Sequence, residues 1–545
     1  MCFCKRSITL NGVVTFKGCS KISVYLDNYK NMAQAKERGK NKQLVINMTA
    51  SLVAFIVGLG VRFLLTPYIV ESLGAEAYGF IGLSMNILSY TSLVTIALNS
   101  MSSRFITISY VERNFKKTNQ YFSSVFYSNL ILAVLILILG LVLVLFLEDV
   151  VKIPSYLVVD VKVLFLLLLI NSTITLIMEV WRVAIFVKNR LDLSNIRNIV
   201  GHILNASVLL FLFSFFSPHI WYMGIAGIIL GIYTSIANYR IGKEITPELS
   251  IKKTYFDISK VFELIKAGSW NVLNMLGEIL GQGLDLVIAN ICIGAAAMGI
   301  FSITRNIPFM ILGLFQMLAG TFAPILTRLY AEKKNEELLA ELKKTIRILG
   351  FFTTFPLACL FLLGEDFYRL WLPSQDASLL QNLTIIGGLI SMVFAMPLEA
   401  LWNIFTITNK LKYSTYVVLA NNVLVFLTVL CSMFIVEDAT VKLFILAGAR
   451  VFWGSLRALI FLPLYGAYCL GVSKTTFYPP ILKSVLSLII VLVVGEFIVS
   501  IFQTNTWIWF IFNVFVICLL TAVMNCFIVL ERQDIQYLKV KLLKL

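Results

Sequence analysis

A chain of 545 residues that is 59% hydrophobic and only 14% charged cannot bury its apolar surface in one water-soluble core, which excludes a soluble globular enzyme or binding domain. A net charge of +16 on such a chain reads as a set of cytoplasmic topology signals and not as a nucleic-acid footprint. Nine cysteines and two histidines, His202 and His219, with neither histidine near a cysteine, offer no metal site, and no cofactor is expected.

Residues 1–43 are expected to be a cytoplasmic leader. Its first part, 1–31, lacks the apolar core of a signal peptide and is expected to be disordered. Met32 opens the basic stretch MAQAKERGKNKQ and would serve as a start as well as Met1. Fourteen apolar runs follow, at about 44–68, 79–103, 121–147, 157–181, 195–216, 220–240, 265–290, 298–325, 346–364, 380–408, 414–435, 441–465, 482–502 and 507–530. Each is near the ~20 residues that carry a helix across a ~30 Å hydrocarbon core. In lipid such runs must be helices, because every backbone polar group has to be satisfied internally. The predicted fold is therefore an all-α polytopic membrane protein with about 14 transmembrane helices.

The loops alternate in charge. Lys36–Lys42, Arg104–Lys117, Arg182–Arg197, Arg240–Lys266, Arg328–Arg347, Lys410–Lys412, Lys474–Lys483 and Arg532–Lys544 hold most of the cations. The intervening loops carry Glu71 and Glu76, Glu148 and Asp149, Glu365 and Asp366, or Glu437 and Asp438. Cations mark the cytoplasmic side, so both termini are expected there, in a multi-pass protein of the bacterial inner (plasma) membrane. Arg240–Lys266 and Arg328–Arg347 read as amphipathic cytoplasmic connectors.

The chain repeats itself. SLGAEAYGFIGLSMNI at 72–87 returns as CIGAAAMGIFSITRNI at 292–307. At this offset of 220 the identities include Gly74/Gly294, Gly79/Gly299, Asn86/Asn306, Tyr110/Tyr330 and Glu112/Glu332. A tight turn between spans explains the first glycines but not the asparagines, tyrosines or glutamates. Six spans separate the copies, so both halves share one orientation, and a pseudo-two-fold along the membrane normal relates them. The expected organisation is an N-lobe of spans 1–6 (44–240), a connector (241–264), a C-lobe of spans 7–12 (265–466), two extra C-terminal spans (467–530) and a cytoplasmic tail (531–545).

NMTASLVAFIVGLGVRFLLTPYIVESLGAEAYGFIGL resembles the first-span signature of polysaccharide flippases in the multidrug/oligosaccharidyl-lipid/polysaccharide exporter superfamily. The matching features are Asn47, Arg62, Pro67 and the run from Leu73 to Gly79. The resemblance covers most of the chain from Met32. It implies a non-enzymatic flippase that moves undecaprenyl-diphosphate-linked oligosaccharides of the O-antigen or lipopolysaccharide type to the outer leaflet for surface polysaccharide biosynthesis. The implied partners are that lipid-linked sugar, membrane lipids, H⁺ or Na⁺ as a coupling ion, and the polysaccharide polymerase machinery, with no nucleic acid.

The residues themselves place polar groups inside the membrane. Asn271, Asn274, Glu278, Gln282 and Asp285 recur at spacings of 3, 4, 4 and 3, which puts them on one face of an ideal helix. Such a stripe is costly in lipid and is expected to face protein or a translocation cavity. Offset 220 pairs Arg62 with Gln282, and Arg305 falls at a comparable depth. Arginine keeps its charge on burial and binds phosphate oxygens bidentately. Candidate substrate-binding residues are thus Arg62, Arg305, Asn271, Asn274, Gln282 and, more weakly, Arg450, whose neighbour on the same face is Arg457. Glu278 and Asp285 are candidates for ion coupling, or counter-ions for the arginines. Glu399 and Glu496 stand isolated.

Four functions remain open. A lipid-linked oligosaccharide flippase fits best. A lipid II flippase is its close sibling. A cation-coupled drug exporter would suit twelve spans. A membrane glycosyltransferase or polymerase would need long outer loops. The absence of a G-x-x-x-x-G-K-[ST] motif excludes a phosphate-loop ATPase within this chain.

Overall fold

The computed structural model describes residues 19–188, 190–502, 504–531 and 534, with side chains from Thr49 onward except those of Leu191 and Gln282. Every element among the described residues is helical. Among the described residues, thirteen helices are long and apolar enough to cross a membrane. The first runs unbroken in hydrogen bonding from Cys19 to Ser89, but Gly74 inside it has φ 86° and ψ 161°. An L side chain is strained there, and the chain reverses at that point into a second traversal. The break gives fourteen crossings: α1 (19–73), α2 (75–111), α3 (Phe115–Leu145), α4 (Ser155–Val187), α5 (Asp192–Phe215), α6 (Tyr222–Ile245), α7 (Ile258–Ile293), α8 (Ala295–Ala331), α9 (Asn335–Trp371), α10 (377–407), α11 (Leu411–Ile435), α12 (Ala439–Leu470), α13 (Tyr478–Ile501) and α14 (Trp507–Ile528). Residues 1–18 of the expected leader lie outside the described residues.

The Arg328–Arg347 segment does not form a separate connector. α8 continues to Ala331 and α9 starts at Asn335, because Leu326, Leu329, Leu338 and Leu342 are apolar at helical spacing and all are buried. The other basic connector, by contrast, leaves the helix after Ile245 and is strapped to α3. Asn119 donates to the Glu248 carbonyl at 3.0 Å and accepts from the Ser250 amide at 2.9 Å. Ser124 exchanges a similar pair of bonds with Asp257. These bonds satisfy an otherwise unpaired loop backbone.

The repeat is carried by backbone geometry as well as by sequence. Gly294 also has positive φ, 149°. Arg113 (φ 57°) and Lys333 (φ 56°) are left-handed non-glycine residues 220 positions apart. Each ends a basic turn whose amide bonds match pair for pair, such as Asn114 to Ser109 and Lys334 to Leu329. α5 and α11 end 220 residues apart. Neighbour relations repeat too. α1 packs on α5 as α7 does on α11, and α4 packs on α6 as α10 does on α12. α13 and α14 pack on α9, outside the repeat, and a buried ion pair from Arg347 on α9 to Asp534 (2.6 Å) fastens the end of α14.

The lobes meet along α2 with α7 and α8. Symmetry-equivalent glycines touch: a Cβ on Gly79 would lie 2.8 Å from the Gly299 Cα. The pseudo-two-fold axis passes between them. The repeated asparagines now have a reason. Asn86 donates to the Gly283 carbonyl of α7 at 3.2 Å, and Asn306 donates to the Tyr78 hydroxyl of α2 at 2.7 Å. Both bonds cross the seam.

Candidate functional site: a cationic cavity in the C-lobe

The seam is shut on the face opposite the basic loops. There the Trp371 indole stacks on Phe63 with ring centroids 5.4 Å apart and donates its N–H to the Phe63 carbonyl at 3.0 Å. Asn290, fully buried on α7, exchanges two bonds with the backbone of Lys152 in the α3–α4 loop. Below this closure a cavity of about 430 Å³ opens among α7, α8, α10, α11 and α12. Its charged lining is Glu278, Arg305, Glu399, Arg450 and Arg457, three arginines against two glutamates.

The far end of the cavity is built around Phe309. Arg305 lies 5.1 Å and Arg450 5.2 Å from the centre of that ring. One turn of α8 separates Arg305 from Phe309, and α12 brings Arg450 to the same ring. Asp285 is 7% exposed, and the charges acting on it are those of Arg305 and Arg450. Two guanidiniums and one carboxylate thus share one level, leaving a surplus positive charge. Cation–π contact contributes roughly 0.5–2 kcal/mol per pair and holds the guanidiniums without consuming their N–H donors.

The polar stripe of α7 is not one face. A π-helical turn at Ile279–Gly283 interrupts it, and a second follows at Ala289–Ile293. A π turn inserts one residue and rotates everything beyond it, so the even spacing from Asn271 to Asp285 splits. Asn271 bonds Ser100 on α2 at 2.9 Å and belongs to the seam. Asn274 is exposed, and Glu278 is exposed into the cavity. Asp285 turns inward toward the arginines. The Gln282 side chain lies outside the described residues.

Arg62 stands apart from this cluster. It is an exposed α1 residue whose charge acts on Tyr78 and His202, and it is not part of the cavity lining. The expected trio of two arginines and an acid at one level is assembled with Arg450 in the place foreseen for Arg62. Arg457 and Glu399 also gain a setting. They act on one another electrostatically, Gln316 is hydrogen-bonded to Glu399, and Arg457 lies 5.9 Å from the Trp402 ring. The seven-residue interval from Arg450 to Arg457 is the sequence signal for both; Glu399 has none. Further π turns occur at Ile385–Leu389 and Arg457–Phe461, so three helices that wall the cavity deviate from α geometry beside it.

No protein-family model matches the chain. It is 27% identical over 467 residues to the "Uncharacterized membrane protein EpsK" of Bacillus subtilis (strain 168), covering 85% of this chain and 91% of that protein. Among solved structures it is similar to an inward-facing multidrug resistance MATE transporter of the MOP superfamily, with a TM-score of 0.62, 16% identity, and 78% of this chain and 98% of that one covered. It is also similar to the lipid II flippase MurJ in an inward closed conformation, with a TM-score of 0.58, 15% identity, and 88% and 98% covered. The chain is a multi-pass helical membrane protein with the two-lobed fold common to these transporters and this flippase.

Proposed function

We propose that the protein translocates a polyprenyl-diphosphate-linked oligosaccharide from the cytoplasmic to the outer leaflet of a bacterial plasma membrane for surface polysaccharide biosynthesis, by alternating access between its lobes. The observation that carries this reading is the pair Arg305 and Arg450, both within 5.2 Å of the centre of the Phe309 ring, at the closed end of the cavity. A diphosphate head needs paired, permanently charged donors away from bulk water. A cation exporter would present net negative charge, whereas this lining carries three arginines against two glutamates.

In this reading the basic face is cytoplasmic. Single cysteines at Thr254 and Lys334, both exposed on the basic face, in a cysteine-free background are expected to react with a membrane-impermeant maleimide only after the cells are opened. Labelling in intact cells would reverse the orientation.

Glu278 and Asp285 are the acids available for H⁺ or Na⁺ coupling, with Arg62 an N-lobe cation met along the path. Moving one charge across the membrane is worth about 2.3 kcal/mol per 100 mV, which biases leaflet occupancy more than tenfold. The test uses proteoliposomes holding a fluorescent polyprenyl-diphosphate-linked sugar, with quenching from outside. The protein is expected to speed exchange between leaflets, and an imposed potential, pH or Na⁺ gradient is expected to change that rate. No acceleration overturns the flippase reading. Acceleration that ignores every gradient overturns coupling alone and leaves a facilitator.

A further inference from the structure

The cavity has two chemically different ends. Along α12, Arg450 and Arg457 are separated by seven residues, about 10 Å of helix. Along α8, Arg305 and Gln316 are separated by eleven, about 16 Å. The far end, at Arg305 and Arg450, carries surplus positive charge and an apolar ring. The end nearer the basic face is different. Arg457 and Glu399 balance one another there, the side-chain amides of Gln316 and Asn421 line the wall, and Trp402 contributes an indole beside Arg457. The Nε of Arg457 is buried and has no hydrogen-bond partner among the described residues. A buried guanidinium donor is rarely left unpaired. Trp402 follows the turn at 396–400 that interrupts α10, so its position is set by that break and not by a continuous helix.

We propose that this second end is a saccharide subsite, in which Trp402, Gln316, Glu399 and Arg457 hold the first sugar of the cargo while Arg305 and Arg450 hold its diphosphate. The proposal rests on the flippase reading above. A sugar presents hydroxyls that both donate and accept, together with a patch of C–H bonds. A neutral set of amides, one carboxylate and one guanidinium satisfies the hydroxyls, and the indole face covers the C–H patch. A second diphosphate would meet the Glu399 carboxylate and be repelled. A bare lipid tail would offer the buried, unpartnered Nε of Arg457 no acceptor. The saccharide is thereby oriented toward the basic face and the phosphates toward the closed face.

The test compares two probes in proteoliposomes: a polyprenyl diphosphate bearing a single N-acetylglucosamine, and the same polyprenyl diphosphate without sugar. Trp402→Ala and Gln316→Ala are each expected to raise the KM for the glycosylated probe at least fivefold relative to that for the bare probe. Trp402→Phe, which keeps an aromatic face, is expected to recover most of the loss and to show that the fold is intact. Arg305→Ala is expected to raise both values together. If Trp402→Ala and Gln316→Ala change both probes equally, or neither, the saccharide subsite is wrong while the flippase reading stands. If the unmodified protein moves neither probe, the flippase reading itself has failed.

Discussion

Replacing Arg305 by alanine is expected to reduce lipid-diphosphate flipping by at least about 100-fold, since two charge-assisted hydrogen bonds at about 1.5–3 kcal/mol each are lost from a desolvated site. Arg450→Ala is expected to act similarly, because the two guanidiniums lie 5.1 and 5.2 Å from the centre of one ring. Arg→Lys at either position should recover part of the activity: the charge is retained and the planar fork is not. A purely structural role predicts the same loss in the single variants, since Asp285 would be left with one of its two cationic neighbours. Breaking a buried pair destabilises by about 3–5 kcal/mol when no partner remains. The double variant Arg305→Ala with Asp285→Asn separates the two roles. It removes a cation and an anion together, so thermal stability in detergent should return toward that of the unmodified protein. Flipping should stay well below that of Asp285→Asn alone if Arg305 binds the diphosphate. Full recovery of flipping in the double variant would make Arg305 a counter-ion and nothing more.

The second large effect is steric. A methyl group at Gly299 would collide with the Ala75 carbonyl oxygen, and one at Gly79 would stand 2.8 Å from the Gly299 Cα. Backbone atoms cannot rotate away, so Gly299→Ala has to push α2 and α8 apart at the closed face. Overpacking of this kind costs about 1–3 kcal/mol. That is enough to shift a closed-to-open equilibrium by roughly 5- to 150-fold. Spin labels at Glu71, near the end of α1, and at Ser374, in the α9–α10 turn of the other lobe, should report longer separations in Gly299→Ala than in the parent protein. The flipping rate should fall at least tenfold with the amount of membrane-inserted protein unchanged. An unaltered distance distribution together with an unaltered rate would show that this seam does not move during transport. Gly79→Ala is expected to give the same result, because the two glycines are equivalents across the axis.

Much of the architecture was legible in the residues. Apolar length and loop charge are local sums, so fourteen crossings and their alternation follow from reading along the chain. The 220-residue echo predicted the repeat, and its two turn glycines, Gly74 and Gly294, take the positive φ that a tight reversal demands. Arg305, Asp285 and Glu278 were singled out because a charge inside an apolar run must have company. What remained hidden was which company. Arg305 and Asp285 stand on helices adjacent in sequence, but Arg450 reaches them from a helix 145 residues beyond Arg305, and only the packing of α12 against α10 and α8 decides that. The single polar face expected on α7 failed for a physical reason. Phase arguments assume 3.6 residues per turn, and the π turn at Ile279–Gly283 rotates all that follows, which moved Asp285 inward and left Asn271 at the seam. Glu399 carried no pattern at all, since its meaning depends on Arg457 and Gln316 from two other helices. Sequence by itself determined what has to leave water and how often the chain crosses. The tertiary structure alone decided which charges meet, because a Coulomb interaction depends on distance through space and the helix phases that set this distance are fixed only when the helices pack.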